Sequence, residues 1–252
     1  MNLLIIQARM GSSRLPGKVM KRINDIPLLQ ILYDRILNSS FTDKIIIATT
    51  TNKEDDIIID FCDDNNIDFY RGSDWDVLDR FYQTAISQEI KPKNIIRICA
   101  DNPLLSYKVI DFVIENYIKS GKDYFSNSNH EPNYLEDGFD VEVFSYKALA
   151  NAWKNAKLTS EREHICPYIK KNFSCGWEKA HDNYNFKLSV DNKNDFEIVT
   201  QIFNELNHIK DFSIKEVVEL LLKKPYLLNI NKESKINSGY LKSLKNDQKI
   251  GE

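Results

Sequence analysis

No stretch of about 18 consecutive apolar residues occurs in the 252-residue chain, which excludes a membrane-spanning helix. The apolar run near the N-terminus is too short for a signal-peptide core and runs straight into charge, so the expected location is cytoplasmic. Cysteine is scarce. Cys62, Cys99, Cys166 and Cys175 lack Cys-x-x-Cys spacing and sit mostly in apolar segments, which predicts buried reduced thiols rather than a zinc site. A large excess of one sign of charge is missing too: the formal net charge is −3, and no long basic segment argues for duplex nucleic acid as a partner. Any anionic ligand must therefore be met by a local cluster. Neither a Gly-x-x-x-x-Gly-Lys-Ser/Thr loop nor a Gly-x-Gly-x-x-Gly turn is present, which removes two common nucleotide motifs. Asn38-Ser-Ser40 and Asn172-Phe-Ser174 match the glycosylation pattern but carry no meaning without secretion.

What is present is ordinary globular composition, 42% hydrophobic and 28% charged, enough for one large domain or one domain with a small appendage. Apolar strand patterns alternate with helical stripes: Leu3 to Ile6, Lys44 to Ala48, Asp68 to Tyr70, Asn94 to Ala100 and Asp123 to Phe125 read as strands. Between them Pro27 to Leu37, Asp55 to Asp64, Val77 to Ser87 and Val109 to Lys119 read as helices. Such units predict an α/β fold with a mainly parallel sheet covered by helices on both faces. Ligands then bind at the carboxyl ends of the strands, at a topological switch point. The rhythm breaks from about 130 to 181, read as an inserted segment with a turn at Glu136 to Gly138, a strand over Phe139 to Phe144 and two helices. It resumes with a strand over Phe186 to Asp191, then helices over Asp195 to Leu206 and Ser213 to Lys224. Beyond Pro225 the composition turns to Asn, Lys and Ser, so residues 229–252 read as a polar tail of little order.

The loop after the first strand combines small residues with Arg9, Arg14 and Lys18. Backbone N–H groups at such a loop, with the following helix terminus, can surround a phosphate, and the three cations suit more than one phosphate. A solvated charged loop is the bland reading on composition alone. The wording of the segment goes further. Gln7-Ala-Arg-Met-Gly-Ser-Ser-Arg-Leu-Pro-Gly-Lys18 resembles the signature loop of the sugar-activating cytidylyltransferases, the superfamily of CMP-Kdo and CMP-acylneuraminate synthetases, and most closely its SpsF-like polysaccharide branch. The resemblance implies a Rossmann-like, GT-A-type domain over residues 1–228, with the 130–181 segment on the acceptor and dimer side. It implies that Ala8, Arg9, Gly11, Ser12, Ser13, Arg14 and Lys18 grip the CTP triphosphate. Ile98-Cys-Ala-Asp-Asn-Pro-Leu104 and Leu188-Ser-Val-Asp-Asn192 resemble the family's two metal-binding segments, which implies Mg²⁺ on Asp101 and Asp191. Mg²⁺ indeed favours one or two carboxylates plus phosphate oxygens and water, although either Asp taken singly could be a helix cap. Gly72 to Arg80 resembles a further element that places Asp79 and Arg80 near the nucleotide, and Thr49 is expected at the base or ribose.

Asp140 and Glu142, two apart on one strand, present two carboxylates to one side while Val141 and Val143 face the core. Sugar hydroxyls would satisfy such a face, as would water on an edge strand. Arg162 and His164 are candidate acceptor contacts, and Ser160 with Glu163 reads as a capping box. The expected reaction is transfer of CMP from CTP to a sugar acid or phosphorylated small molecule by a homodimer, with Arg9, Arg14, Lys18, Asp101 and Asp191 as catalytic residues and no obvious general base. The rival is a glycosyltransferase that uses Asp74-Trp-Asp76 as its metal motif; a third reading is a nucleotide-binding homologue without turnover.

Overall fold

The structure is a computed structural model describing residues 1–128, 136–182, 184–236 and 238–250; the opening of the 130–181 segment thus lies outside the described residues. The chain starts with β1 (Asn2–Gln7), passes through a short ribbon of β2 (Arg22–Ile23) and β3 (Ile26–Pro27), and enters α1 (Leu28–Ile36). Next come β4 (Lys44–Thr50), α2 (Asp56–Asp64), β5 (Phe69–Gly72), α3 (Val77–Ile86), β6 (Asn94–Cys99) and α4 (Tyr107–Ser120). The remainder holds β7 (Tyr124–Ser126), β8 (Glu142–Ser145), α5 (Tyr146–Asn155), α6 (Thr159–His164), α7 (Cys166–Asn172), β9 (Cys175–Trp177), α8 (Lys193–Leu206), α9 (Ile214–Lys223) and α10 (Ser238–Lys245).

Among the described residues the main sheet has seven strands in the order β5-β4-β1-β6-β8-β7-β9. β5, β4, β1 and β6 are mutually parallel, β8 runs against β6 and β7, and β9 joins β7 in parallel. The sheet is therefore mainly parallel, as its apolar strands predict. Leu3, Leu4, Ile5 and Ile6 are all 0% exposed. Leu4 and Ile6 pack with the core under α1, α4 and α8, whereas Leu3 and Ile5 pack with the core under α3, α5 and α7. A strand buried on both faces has no room for alternation, and each such side chain contributes about 1.5–3 kcal/mol of burial. After β1 the chain moves outward to β4 and β5, then crosses back to β6 on the other side of β1. The switch point therefore lies between β1 and β6, and the loops leaving their carboxyl ends, residues 8–18 and 100–106, share one crevice.

Several elements depart from the sequence reading. β8 begins at Glu142 because Asn127 replaces the ladder before it: its amide donates to Phe139 O at 2.9 Å, and its oxygen accepts Val141 N at 2.8 Å. Val141 and Val143 still point into the core. Phe186 to Asp191 forms no strand and joins no sheet. Its backbone is held instead by Asp137, whose Oδ1 accepts Leu188 N at 2.9 Å and Ser189 N at 2.7 Å, and by Asp101 O, which accepts Val190 N at 2.8 Å. Gly138 allows this docking: its φ is +93°, and a Cβ there would lie 2.7 Å from Leu188 C. The polar C-terminal segment forms α10, which folds back onto α6.

Candidate active site

The β1 loop is shaped from below by a residue the sequence reading passes over. Asp55, fully buried, accepts Met10 N at 2.6 Å and the Thr50 hydroxyl. The loop then closes on itself, with Ser12 N and Gly17 N donating to Met10 O at 2.8 and 2.9 Å. Gly11 faces Glu54 so closely that a Cβ would sit 2.8 Å from its carboxylate. Arg9, Gly11, Ser12, Ser13, Arg14 and Lys18 line one cavity together with Asp101 and Asp191.

Lys18 Nζ lies 2.7 Å from Asp101 Oδ2 and 3.2 Å from Asp191 Oδ1, and donates to Val190 O at 2.7 Å. Arg14 reaches the same Asp191 oxygen at 2.8 Å. Burial alone would lower the Lys18 pKa, but Asp101 and Asp191 more than offset this and hold it above the ordinary lysine value. Burial likewise pushes Asp191 up, and the charges of Lys18, Lys187 and Arg14 outweigh it, leaving the carboxyl below its ordinary range. Both carboxylates thus converge on one cation-sized point, a donor set that fits Mg²⁺.

A second cavity adjoins the first and shares Arg14, Cys99, Asp101 and Asp191 with it. Its walls carry Arg97, Asp137, Asp140, Glu142, His164 and Lys170. Asp140 and Glu142 face it together. Glu142 is buried and tied to the Arg97 guanidinium, to Tyr124 Oη at 2.6 Å and to Lys170 Nζ at 3.2 Å. Asp140 has no ion-pair partner among the described residues. Burial, then the neighbouring Asp137 charge, push its carboxyl up to about 7. His164 is pushed down to about 4 by burial and so faces the cavity as neutral imidazole.

The C-terminal helix closes one side. Arg14 donates to Ser238 Oγ at 2.6 Å, His164 Nε2 is 3.0 Å from Ser243 Oγ, and the Tyr240 ring meets the His164 ring edge-on at 5.0 Å. Asp247 fastens this arm to α6 through Ser160 N and Oγ at 2.9 and 2.8 Å. The capping acid of α6 is consequently Glu161, not Glu163: its Oε2 accepts Lys157 N and Leu158 N, both at 3.1 Å. Glu163 accepts from Ser243 instead.

A profile of the cytidylyltransferase family matches residues 3–236. The chain belongs to this family. The spore coat polysaccharide biosynthesis protein SpsF of Bacillus subtilis is 31% identical to the cytidylyltransferase over 234 residues, 88% of this chain and 95% of that one. The 3-deoxy-manno-octulosonate cytidylyltransferase 2 of Hydrogenovibrio crunogenus is 26% identical over 173 residues, 67% of this chain and 64% of its own. The solved structure of a cytidylyltransferase from Leptospira borgpetersenii serovar Hardjo-bovis superposes with a TM-score of 0.82 at 26% identity, covering 90% of this chain and 96% of that one.

Five residues expected in contact with ligand are placed elsewhere in the cytidylyltransferase. Ala8 and Thr49 are buried under the site, and neither side chain reaches a cavity wall. It is Thr50, one position on, that bonds Asp55. Asp79 accepts Trp153 Nε1 at 2.7 Å and so binds α3 to α5. Arg80 is 0% exposed under the 73–76 loop and donates to Ser73 O at 2.7 Å. Burial, reinforced by the like charge of Arg9, lowers it to about 10. Arg162 clasps Asp76 with Nε and Nη2 at 2.9 and 2.5 Å and donates to Trp153 O, so it faces protein rather than acceptor. The Asp74-Trp-Asp76 motif is likewise spent: Asp74 holds Arg9 at 2.7 Å and Asp76 holds Arg162. Two carboxylates each clasped by a different arginine do not converge on a metal, which removes the glycosyltransferase argument.

The pK pattern carries a stability prediction. Because Asp140 sits at about 7 in the folded protein against an ordinary 3.8, the folded state holds an extra proton between these values. Stability from this group is therefore fully present below about 4 and is lost as pH rises through about 7. Asp140→Asn should be more stable than wild type at pH 8, on the order of 1–2 kcal/mol, and equal to it only at about pH 4 or below. Urea unfolding at the two pH values checks this, and a gap that does not shrink on acidification contradicts it. Glu136, pushed up to about 7 by its own burial, keeps part of the pH dependence in the variant.

Proposed function

We propose that this cytidylyltransferase transfers CMP from CTP to a hydroxyl or phosphate oxygen of a sugar acid or phosphorylated small molecule, releasing pyrophosphate, in surface polysaccharide biosynthesis. The observation that carries this reading is the junction itself: a basic cavity and a mixed-charge cavity meet at Arg14, Asp101 and Asp191. Arg9, Arg14 and Lys18 on the first side bring three positive charges to a triphosphate. On the second side, Asp137, Asp140 and Glu142 offer acceptors for sugar hydroxyls, while Arg97 and Lys170 bring compensating positive charge. The name of the Bacillus subtilis relative supports the polysaccharide assignment.

In the reaction an acceptor oxygen forms a bond to the α-phosphorus of CTP as the bond to the bridging oxygen of the β-phosphate breaks. Arg9, Arg14 and Lys18 hold the departing pyrophosphate oxygens, so the charge that develops there meets fixed donors. Asp101 and Asp191 would hold Mg²⁺, which when bound neutralises and aligns the α-phosphate. Arg14, standing in both cavities, fixes the phosphate chain relative to the acceptor.

The test is a pyrophosphate-release screen of four nucleoside triphosphates against a panel of acidic sugars and phosphorylated polyols with Mg²⁺. Release specific to CTP and to one acceptor class is expected. Silence with every pair, or release with another nucleotide only, would overturn the proposal.

A further inference from the structure

Asp191 is gripped from two sides. Its Oδ1 faces the cavity and meets Arg14 at 2.8 Å and Lys18 at 3.2 Å. Its Oδ2 turns inward to Lys187 Nζ at 3.3 Å. The Lys187 side chain is only 6% exposed, and its ammonium also donates to Ser189 O and Oγ and lies 3.6 Å from both Asp137 Oδ1 and Asp195 Oδ2. A buried ammonium with so many oxygen partners has almost no freedom to move. Burial lowers its pKa, but Asp137, Asp191 and Asp195 outweigh that, so the charge stays on the nitrogen. The backbone it works against is fixed as well, since Asp195 Oδ2 accepts Asp191 N at 3.1 Å and Asn192 N at 3.2 Å.

We propose that Lys187 is a positioning residue: by holding Asp191 Oδ2 from behind, it turns Oδ1 toward Asp101 and sets the carboxylate pair at the spacing a divalent cation needs. The proposal rests on the reading that Asp101 and Asp191 bind the nucleotide's metal ion. Lys187 lines neither cavity and reaches the carboxylate pair through Asp191, and its contact with Asp137 ties the acceptor wall to the same anchor. An orienting partner behind a metal-binding group is worth about 10–100-fold in metal affinity.

The experiment uses the full chain and needs no acceptor. CTP is titrated calorimetrically with Mg²⁺ and again with chelator, and bound Mn²⁺ is read by electron paramagnetic resonance in the presence of CTP. In wild type the metal should tighten CTP binding at least about tenfold; in Lys187→Met that gain should fall to about twofold or less, with metal-free CTP binding within about twofold of wild type. Lys187→Arg, which keeps the charge, should recover most of the gain and the wild-type Mn²⁺ signal. Lys187→Gln retains a donor for Ser189 O and serves as the second neutral variant if the methionine chain does not fold. A folded neutral variant with the full metal-dependent gain overturns the proposal, and so does an arginine variant no better than methionine. Loss of the fold in both neutral variants would make Lys187 purely structural, which also overturns it. A wild type without any metal-dependent gain would instead bring down the metal reading of Asp101 and Asp191, and the proposal with it.

Discussion

Asp101→Asn is expected to lower pyrophosphate release about a thousandfold, roughly 4 kcal/mol of transition-state stabilisation, while leaving a folded protein. The two side chains have the same shape, so the loop after β6 keeps its backbone bonds, including Asn102 N to Cys99 O at 3.2 Å and Val190 N to Asp101 O at 2.8 Å. What disappears is one of the two negative charges that converge on Lys18. Mg²⁺ tolerates few protein ligands, and an amide oxygen without charge is a weak substitute for a carboxylate. Steady-state rates and a thermal melt on the same preparation check both halves. A variant that keeps a tenth of the activity would remove Asp101 from the metal assignment.

Arg162→Met is expected to cost about 3–5 kcal/mol of folding stability, because it strands a buried carboxylate. Asp76 and Arg162 side chains are 10% and 11% exposed, and the guanidinium makes three contacts to the carboxylate at 2.5–3.0 Å. Asp76 is also the N-cap of α3, accepting Asp79 N at 2.8 Å, and its pairing joins α3 to α6. The melting temperature should fall by roughly 10 °C for a chain of this size. The Asp76→Asn, Arg162→Met double variant should recover part of the loss, since the uncompensated charge is then gone. A melt unchanged by Arg162→Met would contradict the structural role and return this arginine to the acceptor side.

The parallel sheet, its two-sided burial and the location of the crevice were legible because they follow from patterns of type and order. Near-continuous apolar strands separated by helical stripes leave few topologies, and the switch point follows from strand order. The cavity residues Arg9, Arg14 and Lys18 were legible in a glycine- and serine-rich loop, whereas Asp101 and Asp191 were picked out only by the family resemblance of the segments that hold them. The supports were not. Asp55, Asp137 and Lys187 look like any charged residue in a polar turn or strand, and only folding shows that each is surrounded by groups more than a few positions away. Arg162 misled for the converse reason: a charged helix face beside a cavity reads as binding surface until its partner, 86 positions earlier, is in view. Phe186 to Asp191 has the composition of a strand, but Asp137 and Asp101 O take the N–H groups that a neighbouring strand would have bonded.

The contacts of Lys18 and Arg14 with the two aspartates make the resting site an internal salt. Such a site disfavours isolated ions. A lone anion that drew Lys18 and Arg14 to itself would strand Asp101 and leave Asp191 to Lys187 alone, and a lone divalent cation that drew the carboxylates would strand the lysine and the arginine. Only an anion arriving with its own counter-cation can exchange partners with all four side chains at once and leave no charge unmatched. On the proposed function the arrangement would work as an ion exchanger that takes a metal–polyphosphate pair as one unit and holds it more tightly than either free phosphate or free metal.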